Sequence, residues 1–453
     1  MKKLSLLIAD IVILYGALAV TLLIRYPGDF SVQVALHATP FSLLFAIWII
    51  IFYINSLYDI QNLRNTSSFY ATLLRSIFIA GALAVGFFYV TPIFGITPKV
   101  NLFLFLVLFS LLEVVNRTFF NAIIQKRFHK RTMIVGINPI SRELVQFIKQ
   151  NPQLGYELRH IVDITPETPK DSGDYFSEFK IIQGLEDIGE TIRREKISIV
   201  ILSPEAYQVK EIIEIFYRAL EHRVNFHNLT TMYEKITGRV SLGTINQVWF
   251  LENIAEGHKQ AYERIKRALD IFFATILGFF TIILTPFIAL AIRIDSKGPI
   301  FYRHKRVGQL GREFEIVKFR SMEDNAEQKT GAVWTQKDDP RITRVGNFIR
   351  KTRLDELPQL WNVLKGEQSL IGPRPERPEF HEILKKEIPF YEERYLIRPG
   401  LTGLSQLHIY GASVFDAAVK LQYDLYYIKN RSLMLDAGIF LKTLNLILRG
   451  GGR

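Results

Sequence analysis

Apolar residues are unevenly spread along this chain. Near-continuous apolar runs cover Leu4 to Ile24, about Ala35 to Ile54, Leu73 to Val90 and Leu102 to Val115. Each approaches the ~20 residues, at ~1.5 Å rise apiece, that a bilayer core demands, which predicts four transmembrane helices over residues 1–117. Lys2 and Lys3 ahead of Ala17-Leu18-Ala19 imitate a cleavable leader, but the run continues to Ile24 and more spans follow. An uncleaved first helix is expected. Lys2, Lys3, Arg64, Arg75, Arg117, Lys126, Arg127, Lys130 and Arg131 fall on one side of these spans, against Arg25 and Lys99 on the other. The N-terminus and the chain after residue 117 should therefore face the cytoplasm. Asp10, Arg75 and Glu113 are expected to pair between helices or lie at the interface rather than to mark a transport path.

From Arg131 the pattern changes to short buried runs separated by amphipathic ones. Arg131–Ile137, Glu157–Asp163, Phe179–Gly184 and Ile197–Ser203 read as strands, with helices over Ser141–Lys149 and Leu185–Glu195 and a polar loop at Thr165–Asp174. The alternation predicts a parallel, Rossmann-like α/β domain over residues 118–255. Its phosphate fingerprint is poor. Where G-x-G-x-x-G would stand the chain reads Gly136-Ile137-Asn138-Pro139-Ile140-Ser141, so a structural or regulatory role is favoured over dinucleotide binding. Val240–Leu242 and Gln247–Leu251 are strand-like pieces leading back to the membrane.

A fifth apolar run, about residues 268–292, is long enough to cross, but its flanks are basic at both ends. Lys259, Arg264, Lys266 and Arg267 precede it; Arg293, Lys297, Arg303, Lys305 and Arg306 follow. Both ends then prefer the cytoplasmic face. A re-entrant helix, broken at Thr285-Pro286, satisfies both length and charge; a kinked straight span is the alternative. The remainder, to residue 453, reads as a further α/β domain. In Glu313–Met322, Lys318 and Arg320 alternate with Val317, Phe319 and Ser321, which places both cations on one strand face, where they could meet a diphosphate or the membrane surface. Ser432–Arg449 has apolar residues at helical spacing.

Composition sharpens this picture. At 453 residues, 49% hydrophobic with mean hydropathy +0.14, the chain is too apolar for an ordinary soluble protein. A net charge of +12 points to anionic partners such as lipid headgroups or phosphorylated substrates. The absence of cysteine removes disulfides, thiolate catalysis and Cys-zinc sites together.

The densest chemistry lies in Arg350–Phe380. Asp355 and Glu356 stand directly behind Arg350, Lys351 and Arg353, then a short apolar pattern (Leu357, Leu360, Trp361, Leu364) ends at Gly366, and a rigid Gly372-Pro373-Arg374-Pro375 turn follows. Paired carboxylates among arginines can ionise, bind a hard cation and face an anionic substrate. Equally, Asp355 could cap a helix begun at Thr352 while Glu356 pairs with an arginine. Residue types alone leave both open.

Three blocks carry a resemblance: Lys318-Phe319-Arg320-Ser321-Met322, the stretch from Arg341 to Glu376, and Arg398-Pro399-Gly400-Leu401-Thr402-Gly403-Leu404 with its continuation to Leu407. Together they resemble the bacterial sugar transferases, the monotopic polyprenyl-phosphate phosphoglycosyl transferases, over about residues 265–453. The four spans and the degenerate Rossmann-like domain are similar in layout to long-form members that initiate exopolysaccharide, capsule or O-antigen repeats. The resemblance implies transfer of a hexose-1-phosphate from a UDP-sugar to undecaprenyl phosphate at the bacterial inner membrane, releasing UMP. It implies Asp355 as nucleophile, Glu356 as the ligand of Mg²⁺, Lys318, Arg320, Arg350 and Arg353 as phosphate contacts, and Pro373, Arg374 and Pro375 as the nucleotide-holding turn. The four-helix domain is expected to position the enzyme or to pair protomers into a homodimer, and to be dispensable for chemistry.

Other classes are weaker. An NAD-dependent oxidoreductase lacks the glycines and a Tyr-x-x-x-Lys pair, and a membrane scaffold would leave the carboxylate pair merely structural. Nucleic acid is not an expected partner, because the basic residues track membrane flanks rather than an aromatic platform.

Overall fold

The computed structural model describes residues 2–90, 99–127, 129–164, 179–183, 187–254, 259–324, 326, 339–409 and 413–448. These form two compact units, Met1–Met232 and Tyr233–Arg453.

The first unit opens with four helices, α1 (Lys2–Arg25), α2 (Phe30–Ile54), α3 (Ser67–Val90) and α4 (Lys99–Arg127). All four contain stretches long and apolar enough to cross a membrane. An aromatic core binds them, with Trp48, Phe105 and Phe109 fully buried and the Trp48 and Phe105 rings 5.6 Å apart. The last helix runs well past the expected end at Val115 because its polar residues are paired. Arg117 Nη2 donates to Asp10 Oδ2 at 2.6 Å, its Nε to Glu113 Oε1 at 2.5 Å and its Nη1 to the Leu57 carbonyl at 2.9 Å. Asp10 and Glu113 thus pair between and within helices, and Arg75 is exposed.

The strands β1 (Lys130–Val135), β2 (Tyr156–Asp163), β3 (Lys180–Gln183), β4 (Ile199–Leu202) and β5 (Asn225–Asn228) make one parallel sheet in the order β3-β2-β1-β4-β5. Its core holds Met133, Val135, Val162, Val200 and Leu202. The sequence pattern misses β5, whose Asn-Phe-His-Asn composition suits an edge strand rather than a buried run. After β1 comes α5 (Pro139–Gln150). The expected polar loop at Thr165–Asp174 lies outside the described residues.

The second unit includes residues 233–254. Val240 donates its amide to the Gln422 carbonyl at 3.1 Å, and Val240, Ile245 and Trp249 share a core with Leu421 and Leu425. The strands expected here are not strands. Gln247–Asn253 is a helix, because Asn246 Oδ1 accepts from the Trp249 amide at 2.9 Å and starts it, and Leu242–Thr244 is one 3₁₀ turn.

One helix, Gln260–Asp295, contains the fifth apolar run. Its helical hydrogen bonding continues through Thr285-Pro286, so the expected break is not a change of secondary structure. Proline removes a single donor, and the Thr281 and Thr285 hydroxyls fold back onto the Leu277 and Thr281 carbonyls. Both ends are rooted in the second unit. Near the start, Lys266 pairs with Asp436 at 2.8 Å, Arg267 donates to the Val363 and Leu364 carbonyls, and Asp270 Oδ1 accepts from the Leu370 amide at 3.1 Å. At the other end, Asp295 Oδ2 accepts from the Val345 amide at 2.8 Å, and Ile288 and Ile292 pack on Phe319 and Ile349. Between them Phe279, Ile282, Phe287 and Leu290 are exposed.

The antiparallel hairpin β6 (Phe301–Val307) and β7 (Glu313–Phe319) follows, and then the helix Arg344–Lys351. Short parallel strands β8 (Ser369–Ile371) and β9 (Gly400–Thr402) tie the Gly-Pro-Arg-Pro turn to the Arg-Pro-Gly segment. Helices Pro378–Glu387, Val414–Asn430 and Leu433–Leu448 share a hydrophobic core with β8.

Candidate active site

The helix Arg344–Lys351 starts at Thr343, whose Oγ1 accepts from the Gly346 amide at 3.0 Å. Thr352 is therefore not the expected N-cap. It sits at this helix's C-terminal end, where its hydroxyl donates to the Phe348 carbonyl. The chain then turns sharply, with Arg353 in the left-handed conformation at φ 58°, ψ 15°. A non-glycine residue there costs roughly 1–2 kcal/mol, strain that the rest of the site must offset. The turn delivers Leu354–Gln359 as a 3₁₀ segment that accommodates Pro358 and carries Asp355 and Glu356 inward. Regular helix resumes at Leu360–Lys365 and stops at Gly366, φ 89°.

Asp355 and Glu356 are 8% and 6% exposed at the wall of a cavity of about 450 Å³. Their circumstances differ. Glu356 Oε1 accepts from Arg374 Nη2 at 2.6 Å and Lys318 Nζ at 2.9 Å, and its Oε2 from Arg353 Nη1 at 3.4 Å. Burial opposes its ionisation, but Arg374, Lys318 and Arg353 overcome that and hold the carboxyl well below the usual range. Asp355 is pushed up to about 6, first by burial and then by the negative charge of Glu356, with Lys318, Arg350 and Arg353 acting against both. One carboxylate is firmly ionised and the other is poised near its titration point.

The expected residues Lys318, Arg320, Arg350, Arg353, Asp355, Glu356 and Arg374 all line this cavity. Arg320, however, has another task. Its Nη1 donates to the Lys297 carbonyl and its Nη2 to the Ser296 carbonyl, both at 2.8 Å, which caps the end of the long helix. Arg374 lies on Glu356 as well as in its turn, and Pro373 accepts from the Gly400 amide at 2.8 Å. Thr285 and Pro286, on the long helix, are not among the lining residues.

Sequence reasoning missed Tyr302, His304, Arg306 and Arg377, which line the same cavity. The first three were findable. They alternate along β6, and Tyr302 pairs across from Lys318, so they share its face. Burial, with Arg306, Arg377 and Lys318 beside it, lowers His304 to about 3, so its ring is neutral.

Among the described residues no three His, Asp or Glu side chains stand together as a metal cage. A magnesium ion shared with substrate phosphates needs only one or two carboxylates. Asp355 and Glu356 fit that demand, offering hard oxygens to one cavity, with the Glu356 Oε2 contact a long one.

Comparison with known proteins matches residues 261–450 to the bacterial sugar transferase family and residues 53–227 to a CoA-binding domain. A UDP-N-acetylgalactosamine-undecaprenyl-phosphate N-acetylgalactosaminephosphotransferase of Aeromonas hydrophila is 43% identical over 236 residues, 52% of this chain and 54% of that protein. A putative undecaprenyl-phosphate N-acetylgalactosaminyl 1-phosphate transferase of Bacillus subtilis (strain 168) is 51% identical over 133 residues, covering 29% of this chain and 74% of that one. The exopolysaccharide production protein PSS of Rhizobium leguminosarum bv. phaseoli is 37% identical over 198 residues, 42% of this chain and 98% of its own length. The match to the Aeromonas protein thus spans about half of that relative's length.

The residues at the start of α5 do not suit a coenzyme A phosphate. Asn138 Oδ1 already accepts from the Ser141 amide, and Ser141 Oγ accepts from the Asn138 amide, both at 2.8 Å. These are donors a phosphate would use at the helix terminus. Gly136 (φ +99°) is also closed in, since a Cβ there would stand 2.0 Å from Ser203 Oγ. With two relatives matched over 74% and 98% of their length, and the carboxylate pair set among cations in the matched region, the chain belongs to the bacterial sugar transferase family.

Proposed function

We propose that this protein transfers a hexose-1-phosphate from a UDP-sugar to undecaprenyl phosphate, with release of UMP. The observation that carries this reading is the pair Asp355–Glu356. One carboxylate is clamped by three cations, the other is raised to about 6, and both face a cavity also lined by Arg306, Arg350 and Arg377. A carboxylate approaches a diphosphate only where cations screen the repulsion, and this wall supplies them.

In the first step an Asp355 carboxylate oxygen attacks the sugar-bound phosphorus. A phosphorus–oxygen bond forms, the bond to the bridging oxygen breaks, and UMP leaves with that electron pair. In the second, an oxygen of the lipid phosphate attacks the same phosphorus, the aspartyl–phosphorus bond breaks, and the Asp355 carboxylate is restored. Neither step needs a proton from the protein, which agrees with a neutral His304 in the cavity. Lys318, Arg350 and Arg353 hold phosphate oxygens, Arg374 keeps Glu356 ionised beside the nucleotide, and Arg320 fixes the end of the long helix. Asp355 and Glu356 would hold Mg²⁺, which when bound neutralises diphosphate charge.

The helix Gln260–Asp295 supports a monotopic arrangement. Its ends are both hydrogen-bonded into one folded unit, while its middle is apolar and exposed. A helix held at both ends by the same cytoplasmic unit enters and leaves by one leaflet. The cavity then lies near the headgroups, where a soluble donor and a lipid-borne acceptor meet. The bacterial inner membrane, with both soluble domains in the cytoplasm, is the matching location, and this step would open surface-polysaccharide synthesis.

The relatives are named for N-acetylgalactosamine, galactose and glucose donors. Purified full-length protein with undecaprenyl phosphate and Mg²⁺ should therefore be given each of these UDP-sugars in turn. Metal-dependent UMP release with one donor, lost in Asp355→Asn, is the expected result. Release with none, or release undiminished in the variant, would sink the reading.

A further inference from the structure

Arg394 has no part in the two chemical steps and is not among the cavity-lining residues, yet it is a buried cation, 4% exposed. Its Nη2 donates to Asp424 Oδ2 at 2.8 Å and to the Arg374 carbonyl at 3.0 Å, and its Nη1 to the Tyr391 hydroxyl at 2.5 Å. The Tyr391 and Tyr395 rings lie 5.1 and 5.8 Å from its guanidinium carbon. Asp424, 1% exposed, reaches it from the helix Val414–Asn430. A buried ion pair is weak evidence for stability as such, because apolar packing of similar volume usually serves as well. What distinguishes this pair is its third contact, the backbone of Arg374. That residue's own guanidinium reaches Glu356 at 2.6 Å and Gln406 Oε1 at 3.4 Å.

We propose that Arg394, oriented by Asp424, is a positioning residue. It fixes the backbone at Arg374 and so keeps the Arg374 guanidinium on Glu356, beside the nucleophile. The inference rests on the reaction proposed above. Planar Arg suits the task, since one guanidinium can hold a carboxylate and a carbonyl in a fixed relation, which an ammonium cannot. Glu356 is faced by Lys318 and Arg306 from the hairpin, by Arg350, Arg353 and Asp355 from its own segment, and by Arg374 from the Gly-Pro-Arg-Pro turn. Of these, Arg374 is the largest cationic influence on it. A misplacement of about 1 Å far from the chemistry can cost about 100-fold in rate.

The test compares full-length wild type, the double variant Arg394→Met/Asp424→Leu and the single variant Arg394→Lys. Melting temperature is read together with kcat and KM of UMP release. The double variant replaces both charges by apolar side chains, so neither is left buried alone. It should melt near wild type and lose about 100-fold in kcat with a smaller change in KM. Arg394→Lys keeps the charge without the fork, and a kcat loss in the same direction is expected. Should the double variant not fold, the lysine variant decides by the same readouts. A folded variant with wild-type kcat overturns the proposal, and so does a rate loss that only follows melting temperature or that falls on KM with kcat unchanged. Wild-type protein without UMP release would instead refute the reaction itself.

Discussion

Asp355 and Glu356 are adjacent in the chain but differ in the company they keep, and the reaction depends on that difference. The nucleophile must be ionised, so activity should fall as pH drops through about 6, the value at which Asp355 takes up a proton. A pH profile of kcat/KM checks this, and an acid limb near the ordinary aspartate range would contradict it. The same shift bears on stability. Because the folded-state value lies above the ordinary 3.8, the native protein binds this proton more tightly than the unfolded chain does. Stability is lost as pH rises between the two values, and the full penalty stands above about 6. Asp355→Asn should therefore raise the melting temperature near neutral pH while abolishing transfer, with the gain fading in acid. The pair itself was legible in the sequence, as acidic neighbours among arginines. Its asymmetry was not, because Lys318 and Arg374 reach Glu356 from 38 and 18 residues away.

At the level of elements, the site depends on close backbone approach more than on regular helix. The Gly-Pro-Arg-Pro turn and the Arg-Pro-Gly segment touch at Gly372 and Gly400, where a Cβ on Gly400 would stand 2.0 Å from the Gly372 nitrogen. Gly400→Ala should push the turn away from Glu356, cost roughly 1–3 kcal/mol in stability, and lower kcat by more than a surface substitution would; thermal melting and UMP release measure both. Regular elements were readable from periodicity. The four apolar helices, four of the five parallel strands and the hairpin face carrying Lys318 follow from spacing. Thr352 was misread because nothing in the local sequence announces the left-handed turn at Arg353, which moves the helix start to Thr343. Gln247–Asn253 was misread as a strand because a short apolar run fits either period, and the cap at Asn246 decided it.

For the whole molecule, the chain divides into two compact units, and residues 233–254 pack within the second. The chemistry proposed here lies wholly in that unit. A chain beginning at Tyr233 should therefore stay membrane-bound and keep transfer activity, while loss of transfer in a folded, membrane-bound remainder would count against it. Cutting after residue 255 instead would remove Val240, Ile245 and Trp249 from the core and test stability rather than function. The central claim is that the sugar phosphate passes through Asp355. The most direct measurement is intact-protein and peptide mass spectrometry after mixing enzyme, Mg²⁺ and the active UDP-sugar with no lipid acceptor. The account predicts one equivalent of UMP released and one sugar phosphate on the peptide containing Asp355, discharged when undecaprenyl phosphate is added. UMP appearing only once acceptor is present, with no adduct on that peptide, would contradict it.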